Sequence, residues 1–416
     1  MSSSCVLFVV RSYSGTGAQP IRFREIIGRL AGKSDIHVLE LTHGKAGTRA
    51  ENGVTIHSLT YSFAGRTVNP PAITAGTIPA GSGLHSRPVA VIKRHIRSLF
   101  FPDTVITEAS RLKREAVRLT KTYGFSVVVL SAFPFTVLLC AVSLKRNTAA
   151  KIILDVGDPF YRNSRNGWFR DRLARRFEKK HLRFVDSLVV TNEMTRKHYL
   201  ESFRSAVPEM IHVIPMGIGE SLAVGYGKEG TVEKVSMAGS PFRLVYAGQL
   251  YRRLREPYEL YRALVSLSEE PGILIELRMY GTFSREFSSG FERAGIISFM
   301  GQISHERMAD VYRSAGAVVF IDNAFGMQTP GKVFEVALTG RPVLFITDRN
   351  ESPALEVIKE FSHVITAANN ADAISGAVKR LILMNPVYPP KEQVNKFLWE
   401  NRAAEYEELI SSLSGE

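Results

Sequence analysis

The stretch Thr329-Pro330-Gly331-Lys332-Val333-Phe334-Glu335, followed by Thr339-Gly340-Arg341-Pro342-Val343-Leu344, has the pattern of a loop, a helix and a strand in succession. Thr329 can cap a helix whose first residue is Pro330, because the N–H that proline lacks would have no partner there. Gly340 suits the left-handed residue that ends such a helix. The apolar run from Val343 is then predicted to be a strand of an α/β sheet.

The first turn of this helix predicts an anion site. Free N–H groups and the positive end of the helix dipole favour a negative ligand. Lys332 lies in that turn, and Glu335 lies three residues later on the same face. The lysine suits a diphosphate, and the carboxylate can accept two hydrogen bonds from a ribose diol. The segment therefore predicts a nucleotide-diphosphate site, although the same residues could begin an ordinary surface helix.

Strands and helices alternate along both halves of the chain, which predicts parallel sheets covered on both faces. A length of 416 residues fits two domains of about 200 residues each. We expect residues 219–240 to form a linker. The predicted domains are therefore 1–218 and 241–390, followed by a C-terminal helix within 391–416 whose apolar residues form a buried stripe.

Composition indicates a globular protein, with 45% hydrophobic and 22% charged residues. The two cysteines, Cys5 and Cys140, imply no disulfide framework and favour a reducing compartment. Neither has metal-ligand spacing to a histidine, so both are expected to pack as small hydrophobes. The N-terminal apolar run lacks the features of a secretory signal. A cytoplasmic location is therefore expected.

One uncharged run, residues 125–144, is long enough to cross a membrane. Its first part is β-branched, Ser131-Ala132-Phe133-Pro134 interrupts it, and the rest has helical character. A buried strand, a loop and a buried helix explain the run better than a membrane span does.

Charge is concentrated in the first half: residues 1–220 hold 32 Lys and Arg against 16 Asp and Glu, and residues 221–416 hold 21 against 24. Two basic tracts stand out, 88–101 and 162–183, and in the second Phe169, Leu173, Phe177 and Phe184 mark a predicted buried stripe. These tracts could be ordinary amphipathic helices on the sheet or helices that lie on an anionic membrane surface. A pI near 9.7 also raises nucleic-acid binding, but no motif for it is visible.

The chain resembles glycosyltransferase family 4. The resemblance rests on a Pro-x-Lys-x-x-Glu run at 330–335 before a Gly-x-Pro-Val strand, with supporting matches at the Gly15–Gly17 loop, at 153–158 and at 245–248. It implies the GT-B fold, with two doubly wound Rossmann-like domains facing a central cleft. The first would bind the acceptor and the second the nucleotide-sugar, with the C-terminal helix packing back on the first.

The resemblance also implies roles for individual residues. Glu335 matches the residue that holds the nucleotide ribose. Arg255 is the first choice, and Arg253 the second, for the cation that binds the diphosphate a few residues past Gly248. Asp158 matches a family aspartate beside the cleft, although it could equally cap a helix. The remaining candidate substrate contacts are Thr329, Gly331, Gly248, Gly15, Gly17 and Met327.

Met327 departs from the family pattern, because it occupies the position of the family's first conserved glutamate. The donor sugar is therefore left open. No Asp-x-Asp motif occurs, which disfavours the metal-dependent GT-A type. We expect no metal and no cofactor, because Arg255, Lys332 and the helix dipole can neutralise the leaving diphosphate.

The function predicted from these residues is a hexosyltransferase that uses a nucleotide-diphosphate sugar, with retention as the resemblance implies. The acceptor would be a glycan or a lipid-linked sugar in polysaccharide or glycolipid synthesis for the cell envelope. The protein would act as a peripheral protein on the cytoplasmic face of the membrane. A non-catalytic protein that binds sugar nucleotides remains the alternative, and nucleic-acid binding is a weaker one.

Overall fold

A computed structural model describes residues 4–15, 17–69, 100–163, 166–220, 239–288 and 296–415. The chain divides into two compact units: unit 1 comprises Met1–Pro215 and Ala403–Glu416, and unit 2 comprises Met216–Arg402. Most of the predicted linker and most of the basic tract at 88–101 lie outside the described residues.

Unit 1 contains an eight-stranded sheet among its described residues. Its strands are β1 (Cys5–Val9), β2 (Asp35–Thr42), β3 (Gly47–Glu51), β4 (Val54–Thr60), β5 (Val127–Ser131), β6 (Lys151–Val156), β7 (Ser187–Val190) and β8 (Ile211–Val213). Its α-helices are α1 (Ala18–Leu30), α2 (Phe63–Val68), α3 (Ala109–Tyr123), α4 (Leu139–Asn147), α5 (Trp168–His181) and α6 (Glu193–Ser202). Short 3₁₀ helices lie at Thr104–Glu108, Phe135–Leu138, Leu182–Phe184 and Pro208–Met210.

The sheet of unit 1 has the strand order β3-β4-β2-β1-β5-β6-β7-β8, and every pairing except β3 with β4 is parallel. The order reverses between β1 and β5, which makes a crevice at their carboxyl ends. From Val6 onward β1 is buried on both faces, and so is all of β5, as expected for central parallel strands. The doubly wound prediction is confirmed for this unit.

The antiparallel edge strand β3 was not predicted. All five of its residues are exposed, so it has no apolar pattern to reveal it. The available signal was Asn52-Gly53, which joins β3 to β4 with positive φ at both residues (50° and 77°). An Asn-Gly pair is the usual turn of a two-residue hairpin.

The 20-residue uncharged run at 125–144 is the buried strand β5, a 3₁₀ helix and α4, as predicted. Across the described residues, no helix is both long enough and apolar enough to cross a membrane.

Unit 2 contains a six-stranded, fully parallel sheet in its described part. Its strands are β9 (Phe242–Ala247), β10 (Ile275–Tyr280), β11 (Ile297–Gly301), β12 (Ala317–Ile321), β13 (Val343–Ile346) and β14 (Val364–Ala367). Its helices are α7 (Tyr258–Ser268), α8 (Arg285–Ser288), α9 (His305–Arg313), α10 (Lys332–Ala337), α11 (Pro353–Ile358), α12 (Ala371–Leu383) and α13 (Lys391–Asn395).

The strand order of unit 2 is β11-β10-β9-β12-β13-β14, the 3-2-1-4-5-6 arrangement of a nucleotide-binding sheet. Its order reverses between β9 and β12. Ligands of such sheets bind outside the carboxyl ends of the strands at this reversal. A ligand-binding site is therefore expected at the loops that follow β9 and β12.

A last helix, α14 (Trp399–Ser414), returns the chain to unit 1 from Ala403 onward. Its Tyr406 is fully buried and donates a hydrogen bond to Asp155 at the end of β6. Asp155 also pairs with the buried Arg22 of α1 at 3.2 Å. Leu409 and Ile410 extend the buried stripe. The predicted return of the C-terminal helix to the N-terminal domain is thus confirmed.

Candidate functional site

The carboxyl edge of the unit 2 sheet is formed by closely packed loop backbone. Gly248 follows β9, and its N–H donates to the carbonyl of Tyr280 at 3.0 Å. Gly281 follows β10 with a φ of 148°, and a Cβ there would overlap the carbonyl oxygen of Gly248. Only glycine permits both this φ and this approach. The contact fixes the start of the segment from Gly248 to Arg255.

Arg255 reaches across the strand reversal. Tyr251 and Arg255 pair their backbones at the base of a tight turn, with N···O distances of 3.0 and 2.8 Å. The Arg255 Nη2 donates to Oδ1 of Asn323, the second residue after β12, at 2.8 Å. Its guanidinium also lies over the ring of Phe320, 5.6 Å from the centroid. Arg255 therefore extends from the loop after β9 to the loop after β12.

One donor of Arg255 is left over. Its Nε is buried and has no hydrogen-bond partner among the described residues. A buried unpaired donor on a cation is costly unless a ligand or water uses it. Arg253, in contrast, is exposed at the tip of the same turn with a φ of 64°. The two predicted arginines therefore differ in burial, and only Arg255 has a buried donor for a ligand.

Arg349 stabilises the loop after β12 through hydrogen bonds to its backbone. Its two Nη atoms donate to the carbonyls of Asn323 and Gly326, at 3.3 and 3.1 Å. In this loop Met327 is half-buried and Thr329 is buried. The loop is therefore a supported structure that leads directly into α10.

The helix α10 begins at Lys332, and not at Pro330 as predicted. Its N-cap is Gly331, in the right-handed helical region and without a side-chain cap, so the prediction of Thr329 as the cap is wrong. Pro330 instead closes a turn by accepting a hydrogen bond from Val333 N–H at 2.9 Å. Since α10 has only six residues, its summed dipole is smaller than that of a long helix. Side-chain cations must supply most of the charge for an anion here.

Lys332 and Glu335 lie together, as the three-residue spacing predicted. Lys332 Nζ is 2.6 Å from Glu335 Oε2, and both side chains are partly buried. Gly340 has the predicted positive φ, 68°, and β13 begins at Val343 as predicted. The two charges of the pair therefore neutralise each other.

Two buried tyrosines connect these groups electrostatically. Burial raises the pKa of Tyr246, which the nearby Arg255 cation opposes. Burial raises the pKa of Tyr312 well above its ordinary value, and the nearby Glu335 and Tyr246 raise it further. The Tyr312 hydroxyl also has no hydrogen-bond partner within the described part of the chain. Arg255 and Glu335 are thus placed around one pair of buried hydroxyls.

Sequence reasoning missed Asn323, Arg349, Tyr246 and Tyr312. A signal existed for Asn323, because Asp322-Asn323 follows a buried strand next to the strand reversal. None existed for Tyr312, which lies near the end of the amphipathic helix α9 and looks like a core residue.

The glycine loop of unit 1 follows β1. Gly17 is the N-cap of α1, and a Cβ on Gly15 would lie 3.0 Å from Pro20 Cγ. Arg24 donates to the carbonyls of Tyr13 and Gly15 and so supports the loop. Their neighbours Ser12 and Ser14, and not the glycines themselves, line a cavity of about 790 Å³, which we call the unit 1 cavity.

The unit 1 cavity is polar and basic. It is lined by Arg11, Ser12, Ser14, Glu40, Leu41, Thr42, His43, Gly44, Arg49, Tyr61, Asn69 and Thr104. Its acid, Glu40, is already used by Arg49 at 3.1 Å and by Ser58 Oγ at 3.0 Å. The exposed Arg11 side chain has no hydrogen-bond or ion-pair partner in the described part of unit 1. His43 stacks on Tyr61 with ring centroids 4.7 Å apart.

Asp158 lies two residues past β6, in unit 1. The alternative reading, that it caps a following helix, is wrong: the next helix is α5, whose N-cap is Gly167. The functional reading of Asp158 stays a prediction.

The basic tract at 162–183 contains α5, but its apolar residues are not all buried as predicted. Phe169 is 68% exposed and its neighbour Trp168 is 75% exposed. The Arg172 guanidinium lies 5.2 Å from the centroid of the Trp168 ring. Trp168 and Phe169 are the first two residues of the helix, and both rings project from its first turn.

Residues 46–221 match the family model described as Glycosyltransferase Family 4. The matched residues include Asp158, α5 and part of the unit 1 cavity. No match was found among curated protein sequences.

Solved structures extend the likeness beyond residues 46–221. Sucrose-phosphate synthase from Thermosynechococcus elongatus aligns over 99% of this chain and 99% of its own, with 16% identity and a TM-score of 0.67. The protein described as trehalose-6-phosphate from E. coli bound with UDP-2-fluoro glucose aligns over 99% and 96%, with 13% identity and a TM-score of 0.61. The lipopolysaccharide outer core galactosyltransferase WaaB aligns over 98% and 99%, with 11% identity and a TM-score of 0.62.

At these identities the structural likeness shows the fold. The predicted GT-B fold and the predicted resemblance to family 4 are both confirmed. The family-model match and the fold together indicate a glycosyltransferase. The roles of individual residues in that class stay predictions.

Proposed function

We propose that this protein transfers a sugar from a nucleotide-diphosphate sugar to an acceptor, and that the donor binds at the carboxyl edge of the unit 2 sheet. The observation that carries the proposal is Arg255, which spans the strand reversal from the β9 loop to Asn323 and retains a buried, unused Nε. The strand reversal is where nucleotides bind in sheets of this order.

In this proposal the donor exchanges partners with the Lys332–Glu335 pair. Lys332 leaves Glu335 for a diphosphate oxygen, and Glu335 accepts hydrogen bonds from the ribose hydroxyls. The two charges are then both used, so no isolated charge is buried. The Tyr312 hydroxyl, which lies near Glu335, gains a possible partner in the same step.

The chemistry follows from charge. As the glycosidic bond breaks, negative charge grows on the leaving diphosphate. Fixed cations aimed at that position stabilise the transition state more than the bound substrate. Arg255 and Lys332 supply two such cations without a metal, so we propose that the transfer needs no divalent ion. Retention of the anomeric configuration is carried over from the family resemblance alone.

The acceptor is proposed to enter unit 1. The unit 1 cavity is large enough for a sugar residue, and the glycine loop after β1 borders it. Arg11 and Arg49 favour an anionic acceptor, such as a phosphorylated or diphosphate-linked glycan, and the His43–Tyr61 pair offers a flat face to a sugar ring. Asp158, at the carboxyl end of β6, is the proposed polar contact on the acceptor side.

The N-terminal domain is proposed to rest on an anionic membrane surface on the cytoplasmic side. The exposed rings of Trp168 and Phe169 next to Arg172 form an amphipathic tip of the kind that inserts between lipid headgroups. Such placement would bring the unit 1 cavity a lipid-linked acceptor for polysaccharide or glycolipid synthesis.

A second candidate is a non-catalytic protein that binds sugar nucleotides. Met327 favours it, because a thioether accepts hydrogen bonds far more weakly than the carboxylate that the family has at this position. In that case the nucleotide would bind through Arg255, Lys332 and Glu335 without transfer.

A thermal-shift panel of nucleoside diphosphates and their sugars tests the proposal. A ligand that binds only the folded state at 100 times its Kd stabilises it by about 2.7 kcal/mol, which raises Tm measurably. We expect one nucleoside diphosphate to raise Tm in the wild type and to lose this effect in Lys332→Ala. If no nucleotide shifts Tm, the donor site is refuted. A shift with a nucleotide-sugar that is never consumed, with any acceptor offered, selects the non-catalytic alternative.

A further inference from the structure

The amino edge of the unit 1 sheet gathers three side chains of types that bind transition metals. Strands β1 and β2 pair in parallel with Cys5 opposite Asp35 and Leu7 opposite His37. Because alternate residues of a strand point to the same face, Cys5, Asp35 and His37 lie on one face of the sheet. Their ligand atoms all lie within 4.8 Å of one another.

The distances suit a tetrahedral metal. Cys5 Sγ is 3.4 Å from Asp35 Oδ2, and His37 Nε2 is 3.5 Å from Asp35 Oδ1. A zinc ion with ligand bonds of about 2.0 to 2.3 Å holds neighbouring ligand atoms roughly 3.3 to 3.7 Å apart. Each of the two distances matches one edge of such a tetrahedron. Because they end on different oxygens of Asp35, this exposed carboxylate must rotate to bring one oxygen to both partners.

The histidine is supported in the way that metal-bound histidines are. His37 Nδ1 is 2.9 Å from His57 Nε2, and His57 Nδ1 is 3.1 Å from Thr48 Oγ1. Both rings are buried, and Tyr123 packs on His37 with ring centroids 4.4 Å apart. With Nδ1–H donated to His57, the Nε2 lone pair is free for a metal, and this orientation is fixed by the second histidine.

We propose that Cys5, Asp35 and His37 bind one zinc ion at the amino edge of the unit 1 sheet. Thiolate, carboxylate and imidazole are a ligand set that zinc accepts, and a fourth position remains for water. The unit 1 cavity and the glycine loop lie at the carboxyl ends of the same strands. The ion would therefore tie β1 to β2 and stabilise unit 1, and would take no part in sugar transfer.

A metal-free reading explains the same distances differently. The Cys5 thiol donates to Asp35, and His37 donates its Nε2–H to the same carboxylate, with no ion between them. Asp35 is exposed, and exposed carboxylates commonly have such neighbours without a metal. The two readings differ in one property: only the metal site produces a metal–thiolate bond.

Cobalt serves as a coloured substitute for zinc in the test. The full chain is stripped with a chelator, dialysed and titrated with Co²⁺. We expect near-ultraviolet thiolate-to-cobalt absorption that saturates at one equivalent and disappears when Zn²⁺ is added. Cys140→Ser should keep this absorption, because Cys140 is buried in the core, and Cys5→Ser should lose it. Absence of the band in the wild type, or an equal band in Cys5→Ser, would overturn the proposal.

Two further measurements guard against a variant that fails to fold. Asp35→Asn should weaken zinc binding by about tenfold or more, whereas Glu51→Gln, an exposed acid on β3, should not change it. In the Cys140→Ser protein, whose one thiol is Cys5, zinc should slow alkylation by iodoacetamide by roughly tenfold, since the metal-bound sulfur is occupied. An alkylation rate that zinc leaves unchanged would also refute the site.

Discussion

The contacts of individual side chains distinguish the two arginines of the proposed donor site. Arg255 and Arg253 belong to one turn and differ in placement: Arg255 touches Asn323 and Phe320, and Arg253 points into solvent at the tip. A side chain that is already positioned loses less entropy when it binds. The pair therefore offers a matched comparison within one loop.

We predict that Arg255→Ala lowers turnover about a hundredfold, because loss of one charged contact in the transition state costs on the order of 3 kcal/mol. Lys332→Ala should have a similar effect. Arg253→Ala, two residues away, should stay within about threefold of the wild type, in line with the small effects of exposed side chains. Initial rates at saturating donor measure all three. Wild-type turnover in both Arg255→Ala and Lys332→Ala would contradict the assignment.

Another residue-scale prediction concerns a buried carboxyl group. Glu178 of α5 is buried, and this burial raises its pKa from 4.5 to about 7, although Tyr199 Oη and the N–H of Tyr161 donate to it at 2.6 and 2.8 Å. The folded state therefore keeps a proton up to about pH 7, and the unfolded state loses it near pH 4.5. Between these values the folded state binds more protons, so stability falls as pH rises.

The Glu178→Gln variant removes this titration. Its free energy of unfolding should be lower overall, because the amide cannot accept from the Tyr199 hydroxyl and from the N–H groups of both Phe160 and Tyr161. Its pH profile should be flatter between pH 5 and 8. The wild type should lose on the order of 2 to 3 kcal/mol over that range from this group. Denaturant unfolding at several pH values measures the two slopes. Parallel slopes would show that Glu178 does not titrate in this window.

At the scale of elements, α5 presents two faces. Ala174, Glu178 and His181 pack inward, whereas Trp168 and Phe169 stand exposed at its first turn beside Arg172. Burial of such rings in a membrane surface would recover apolar contact that water does not provide.

We predict that the wild type sediments with vesicles that contain acidic lipid at low salt, and that Trp168→Ala/Phe169→Ala reduces the bound fraction several-fold. Leu383→Ala in α12 of unit 2 is the matched control, since Leu383 is 80% exposed but lies in the half of the chain that has no basic excess. Binding should weaken as salt rises. Equal sedimentation of the double variant and the wild type would exclude α5 as the anchor.

The helix α14 acts at the scale of the whole molecule, because it completes unit 1 with residues from the far end of the chain. Tyr406 donates to Asp155, whose second oxygen already has no partner in the described residues. We predict that Tyr406→Phe lowers the free energy of unfolding by about 1 to 3 kcal/mol, the cost of leaving a buried acceptor less satisfied. Tyr123→Phe, at an exposed tyrosine, should stay within about 0.5 kcal/mol. Chemical denaturation compares them, and equal losses would contradict this role.

Much of the architecture could be predicted from the sequence. Central strands such as β5 and β12 are continuous apolar runs, and Gly340 followed by Val343 marks a helix end and a strand start. The edge strand β3 could not be predicted from hydrophobic alternation, since the residues on both of its faces are exposed to solvent. The site was predicted in part: Lys332 and Glu335 share a face by spacing. Asn323, Tyr246 and Tyr312 reach the site only through tertiary packing, which no local pattern records.

The N-terminal unit is discontinuous in sequence. During translation, residues 1–215 leave the ribosome long before residues 403–416 are synthesised. Asp155 and Arg22 therefore lack their partner Tyr406 while the intervening unit is made. During that interval the first unit lacks a buried helix and exposes the apolar surface that Leu409 and Ile410 later cover. Nascent-chain quality control would therefore meet an incomplete first unit in every molecule made, and a premature stop codon near the end would leave that state permanent.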